Sequence, residues 1–333
     1  MAEIVLGMGT SHGPMLVTPS EQWGARVPFD RQQPQHFYQG KTFTFDELKA
    51  LRAGEHLEKQ VTQEVWDKRY AACRAAIDEL ARVFAEVKPD VAVLVGNDQM
   101  EMFTDAVIPA FSVYWGEHIE NRMPPAEELA RLGPGLAVAQ EGRIPREGAT
   151  YDGEPDLGRK IIETVIADGF DVAAQKRLRP GRTAIPHAYG FVYRQIMKDK
   201  VPPNVPLALN TFYPPNQPSV SRCYAFGKSV VKAIEEWDSD AKVALIATGG
   251  LSHFVIDEEV DNLVLDALRQ RRIEKVAELD ETIFQAGTSE VKNWVPVAGA
   301  MADLGLDLTV VDYVPCYRSE AGTGSGMGFV YWR

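Results

Sequence analysis

Asp90-Val91-Ala92-Val93-Leu94-Val95-Gly96 is a near-continuous run of β-branched and aliphatic residues. A strand covered on both faces reads this way, whereas a strand with one wet face alternates apolar and polar residues. Just before it, Trp66, Tyr70, Cys73, Ile77, Leu80 and Phe84 recur at steps of four and three, which places them on one face of a helix from about 62 to 87. A helix feeding a doubly covered strand is the repeating unit of an α/β protein. The same alternation extends outward. Ile4 to Met8, Val205 to Thr211 and Lys242 to Ala247 read as further strands, with Val107 to Tyr114, Val172 to Ala174, Leu308 to Val314 and Gly328 to Trp332 as more. Leu157 to Ala167, His187 to Met197, Arg222 to Trp237 and much of 257–304 read as helices, and Thr44-Phe45-Asp46-Glu47 has capping-box spacing. One helix is expected near 125–132 in the otherwise loop-rich stretch 116–154.

The fold class is therefore α/β, with a central, largely parallel or mixed sheet flanked by helices. No repeat and no linker divides the 333 residues, so 1–333 is expected to be one domain with long inserts. Residues 15–42 are rich in Pro, Gln, Gly and aromatics. The insert over about 15–60 is expected to cover the site as a lid.

In open α/β sheets, ligands bind beyond the carboxyl ends of the strands. His12 follows the first strand, Asn97-Asp98-Gln99 follows the run at 90–96, Tyr213 and Asn216 follow 205–211, and Ser252-His253 follow 242–247. If those strands are parallel, these residues meet on one edge. Gly249 and Gly250 before His253 allow positive φ or close backbone approach to a ligand, and a histidine there can act as acid or base near neutral pH. His187 reads equally as an acid/base and as a helix-start residue bonded locally. Glu290, read alone, is an acidic residue in a first helical turn. Gly9-Thr10-Ser11-His12-Gly13 matches GxSxG, yet Pro14 follows where a nucleophile elbow needs a helix. There is no GxxxxGK[ST] loop, no GxGxxG after a strand and no HExxH.

Lys and Arg number 35 and Asp and Glu 47, a net charge of −12. That balance argues against nucleic acid and anionic membrane surfaces as partners. No run of about 18 apolar residues exists, so no spanning helix is expected. The N-terminus lacks a signal-peptide pattern. Cys73, Cys223 and Cys316 are an odd, widely spaced set, which fits a reducing cytoplasm.

Five pieces in order resemble the class III, LigB-type extradiol ring-cleavage dioxygenases, relatives of protocatechuate 4,5-dioxygenase and the gallate dioxygenases. They are Gly7 to Pro14, Val95 to Asp98, Asn210 to Pro218, Thr248 to His253 and Ser289 to Trp294. The resemblance implies Fe(II) held by two histidines and a carboxylate, opening a catecholic or gallate-like ring with O2. It places metal ligands on His12 and Glu290 and the acid/base histidine on His253, with His187 as the nearest match to a second active-site histidine. Tyr213 and Asn216 are the expected substrate contacts. It also implies a homo-oligomer, a dimer. One position departs: the family's second histidine ligand follows Asn-Asp, and here that residue is Gln99. Either Gln99 ligates, or His56, His36, His187 or Glu101 substitutes, or iron is lost and the scaffold serves as a hydrolase, lyase or non-catalytic subunit. An anionic aromatic substrate would need local cations; Arg182, Lys292 and Arg318 are the candidates.

Overall fold

The computed structural model describes every residue of the chain except Pro134. Nine strands form the main sheet: β1 (Glu3–Thr10), β2 (Val91–Asn97), β3 (Phe111–Tyr114), β4 (Ala173–Gln175), β5 (Asn204–Leu209), β6 (Lys242–Thr248), β7 (His253–Val255), β8 (Leu308–Tyr317) and β9 (Thr323–Trp332). Their order is β7-β9-β1-β6-β2-β5-β3-β4, with β8 paired to β9. The centre, β1-β6-β2-β5, is parallel. β9 runs antiparallel to β1, β7 and β8, so the sheet is mixed.

The run at 90–96 is apolar throughout because β2 lies in the middle of a covered sheet. Val91, Val93 and Val95 face one core and Ala92 and Leu94 the other. β6 divides likewise, Val243, Leu245 and Ala247 against Ala244 and Ile246. The first core is roofed by α2 (Pro155–Ala167), α4 (Val220–Glu235), α5 (Glu258–Arg269) and α6 (Val291–Leu304). The second is roofed by α1 (Gln63–Val87) and α3 (His187–Phe191). Thr62 caps α1, which buries the predicted face, Cys73, Ile77, Leu80 and Phe84 among it.

Several boundaries differ from expectation. β3 starts at Phe111, because Thr104 and Val107 form a separate bridge. β9 starts at Thr323, ahead of the expected Gly328, so Gly324 and Gly326 are strand residues too. The helix at His187 continues past Phe191 as a wider π turn, Val192–Ile196. The helix expected near 125–132 is only Ala126–Leu129, and a second, Leu136–Glu141, follows within a hairpin of His118–Asn121 and Ala149–Asp152. Cys73 and Cys316, 243 residues apart in sequence, lie with sulfurs 3.7 Å apart and remain free thiols.

The insert is docked rather than loose. Thr44 and Glu47 form the expected capping box. Arg318 grips Asp30 through two hydrogen bonds of 2.6 and 2.8 Å, and the Thr323 hydroxyl donates to the same carboxylate. Arg52 donates to the Ile256 carbonyl and to Glu55.

Candidate active site

Because β1, β6, β2 and β5 are parallel, the residues after them share one edge. There a cavity of about 320 Å³ is walled by His12, Gln99, Glu101, Arg143, His187, His253 and Glu290, with Met15, Leu136 and Met327 as apolar surface. Its size is that of a small-molecule pocket.

Glu290 is the hub. It precedes α6 and is 1 % exposed, not the solvated first-turn acid that the residue alone implied. Its Oε1 accepts from Asn97 Nδ2 at 3.0 Å and Gln99 Nε2 at 3.1 Å. Its Oε2 accepts from Gly250 N at 2.8 Å and lies 3.4 Å from His12 Nε2 and 3.5 Å from His253 Nε2. Burial opposes its charge, but His253 and His12 hold it well below the usual carboxylate range. Asn293 donates to Asn97 Oδ1, which fixes the Asn97 amide toward Glu290.

His12 is 2 % exposed. Burial lowers its pKa to about 4, against the pull of Glu290, so at neutral pH it is uncharged. The Thr248 hydroxyl donates to the Ala188 carbonyl at 3.3 Å and lies 2.8 Å from His12 Nδ1. With that proton so placed, the hydroxyl oxygen can accept from Nδ1–H, the tautomer that leaves Nε2 bare toward Glu290. In that tautomer a neutral imidazole lone pair and a carboxylate oxygen meet at one buried point, an arrangement that a divalent cation satisfies. The donor set thus fits a metal at His12 and Glu290. Among the described residues, however, no three His, Cys, Asp or Glu side chains are gathered as a preformed metal cluster, so any third protein donor is an amide or requires movement.

His253 begins β7. Its Nδ1 donates to the Leu251 carbonyl at 2.8 Å, which turns Nε2 to the cavity. Burial opposes its charge, yet Glu290 raises its pKa overall. Gly250 and Gly287 flank the ring: a Cβ there would sit 2.5 and 2.2 Å from it. Close approach, not positive φ, is what Gly250 supplies. Asp261 accepts from Ser252 N at 2.6 Å and Ser252 Oγ at 2.7 Å and so holds the turn that carries His253.

His187 packs edge-on against His12 with ring centroids 4.8 Å apart. Its Nδ1 lies 2.6 Å from Glu101 Oε2. Glu101 also binds Arg182 at 3.2 Å, and although burial opposes its charge, His187 and Arg182 lower its pKa to about 2. Asp98 accepts from the backbone of Met102 and Phe103, the turn that delivers Gln99 and Glu101 to the cavity.

Other expectations are redirected. Tyr213 and Asn216 are not on the cavity wall. Asn210 receives the Tyr213 amide proton and donates to Asn216, whose own amide donates to the Ile108 carbonyl, so both residues build the turn after β5. His56 is exposed beside Glu58, and His36 is bonded to the Asp30 carbonyl. Ser11 is buried, with Oγ accepting from Gly328 N, and a 3-10 turn follows at Pro14–Leu16, so no nucleophile elbow forms. Of the three candidate cations, Arg182 pairs with Glu101, Lys292 with Glu281 and Arg318 with Asp30. The guanidiniums on the wall with no ion pair among the described residues are Arg143 and Arg26, which sequence patterns do not mark. Arg143 is 5 % exposed and, among the described residues, donates only to the His12 carbonyl at 3.3 Å and leaves Nε unpartnered. Burial lowers its pKa to about 10. It lies in the irregular 116–154 stretch, where no periodicity marks a residue as inward.

A buried imidazole–carboxylate hub at the carboxyl edge of a mostly parallel sheet, facing a pocket sized for a small molecule, defines an α/β protein with an enzyme-like site. The chain belongs to the LigB family of aromatic ring-opening dioxygenases: residues 56–316 match the family described as the catalytic LigB subunit of aromatic ring-opening dioxygenase. It is similar to a gallate dioxygenase of Pseudomonas putida, 31% identical over 178 residues that cover 50% of this chain and 51% of that protein. The chain thus spans about half the length of this curated relative. Among solved structures it is similar to an uncharacterized protein of Escherichia coli K12, with a TM-score of 0.46 and 14% identity over 76% of this chain and 91% of that one. Among the described residues no helix is long and apolar enough to cross a membrane.

Proposed function

We propose that this protein is an Fe(II)-dependent extradiol dioxygenase that opens a catecholic ring. The observation that carries the reading is the buried point where His12 Nε2 and Glu290 Oε2 lie 3.4 Å apart, in a chain whose family opens aromatic rings with oxygen. His12 and Glu290 would hold the iron, with Gln99 completing the set through its amide oxygen once that amide turns over. Bound there, it would supply Lewis acidity toward a catechol hydroxyl and the redox chemistry that O2 requires.

The chain's own groups do the rest. His253 Nε2 takes the proton of a substrate hydroxyl, since the Leu251 carbonyl fixes its ring. His187, oriented by Glu101, is the second proton carrier. Arg143 and Arg26 supply the positive charge that an anionic substrate needs, in place of Arg182, Lys292 and Arg318. Met15, Leu136 and Met327 keep bulk water from the ring. One observation favours a second assignment of the third ligand: His187, with its ring 4.8 Å from His12 and its Nδ1 on a carboxylate, has the support usual for ligating imidazoles.

The test is anaerobic Fe(II) reconstitution followed by oxygen-electrode traces with catechol, protocatechuate, gallate and 3-O-methylgallate. The reading requires uptake of one O2 per substrate by at least one of them. No uptake from fully loaded protein would overturn it.

A further inference from the structure

A second cavity, of about 420 Å³, adjoins the first, and Arg26, Phe254 and Arg318 line both. Phe29, Phe37 and Phe212 line it as well, beside Gln33, Gln35 and His36. Three of these rings are open to solvent to an unusual degree: Phe29 is 45%, Phe37 38% and Phe254 40% exposed. Phe212 and Phe254 meet at a tilt, with centroids 6.4 Å apart. Exposed aromatic surface gathered around a cavity is costly to leave wet and marks a binding surface. The shared cation is free to act. Arg318 is neutralised by Asp30, while Arg26 makes no ion pair or side-chain hydrogen bond among the described residues.

Arg26, Phe29 and Phe37 all lie in the insert, outside the residues that match the family. The chamber thus joins an insert wall outside the match to Phe212 and Phe254 within it. The insert was expected to be a cover. Its residues Arg26, Phe29 and Phe37 wall a space that shares Arg26, Phe254 and Arg318 with the first cavity, and Asp30 clips them to the β8–β9 turn.

We infer that the preferred substrate is a catechol bearing a second aromatic ring, with the diol ring in the first cavity and the second ring in the chamber lined by Phe29, Phe37, Phe212 and Phe254. Arg26 lies where the two rings join, and its guanidinium packs over the distal π face. Edge and face contacts with several phenyl groups suit a flat apolar ring. This rests on the ring-cleavage reading for the identity of the first ring only.

The experiment compares 3- and 4-phenylcatechol with catechol, in wild type and in the double variant Phe29→Ala/Phe37→Ala. Both side chains are exposed, so the variant keeps the buried cores intact. Wild type should favour one phenylcatechol by about tenfold or more in kcat/KM. The double variant should lose most of that preference with catechol turnover unchanged. Equal use of the three substrates by wild type, or an unaltered preference in the variant, would overturn the inference. If no catechol is opened, the ring-cleavage reading fails, and calorimetry of 4-phenylphenol with the metal-free protein decides separately. Binding weakened about tenfold by the double variant supports the chamber; no binding, or binding indifferent to the variant, refutes it.

Discussion

Gln99 donates to Glu290 at 3.1 Å, so as it stands it steadies the carboxylate. A ligating amide would have to present its oxygen, and amide oxygen is a weaker donor than imidazole. Gln99→His should therefore hold Co(II), a spectroscopic substitute for Fe(II), as tightly as wild type or more tightly. His12→Ala should abolish binding, a loss of more than about 100-fold. Titrations followed by the visible absorption of bound Co(II) check both, and unchanged binding in His12→Ala would remove the site assignment. Gln99→Ala and His187→Ala titrated alongside decide the third ligand: the true ligand's loss weakens binding, and the other's leaves it. His12, His253 and Glu290 are legible in the sequence, the first two because strand ends carry sites and the third only through the resemblance. Thr248, Asn293, Arg143 and the role of Glu101 are not, because each acts through a tertiary contact that spacing does not encode.

At the scale of elements, the covered strands and α1 can be read because periodicity survives burial on two faces. The half of β9 with alternating glycines escapes, since glycine reads as loop and only its pairing with β7 and β8 makes it strand. The seating of the insert is equally hidden, as it depends on tertiary contacts, the buried Asp30–Arg318 pair and the Arg52–Ile256 hydrogen bond among them. Asp30→Asn leaves Arg318 uncompensated and should cost about 3–5 kcal/mol, read as a lower urea midpoint and faster proteolysis within 20–60. A second element-scale prediction concerns Asp261, on the first turn of α5. Burial raises its pKa from 3.8 to about 6. The folded state thus binds more protons than the unfolded state in that window, so its contribution is complete below about pH 4 and is lost as pH rises through 6. Relative to Asp261→Asn, wild-type metal-free protein should lose up to about 3 kcal/mol between pH 4 and 7. Parallel stability curves for the two proteins would contradict this.

For the whole molecule, the net charge of −12 gives an anionic substrate no long-range attraction, so binding has to come from the unpaired guanidiniums of Arg26 and Arg143. One continuous sheet carries His12, Gln99 and His253 at or just after its strand ends, and the 3-10 turn before α6 brings Glu290 to the same edge. The central claim is that this edge inserts both atoms of O2 into an aromatic ring. The most direct measurement is mass spectrometry of a rapidly quenched single turnover of the Fe(II)-loaded protein under ¹⁸O2, with a catechol that it consumes. The account predicts a ring-opened product carrying both labelled atoms. Substrate consumed with no label in the product, or equally well without oxygen, would contradict it.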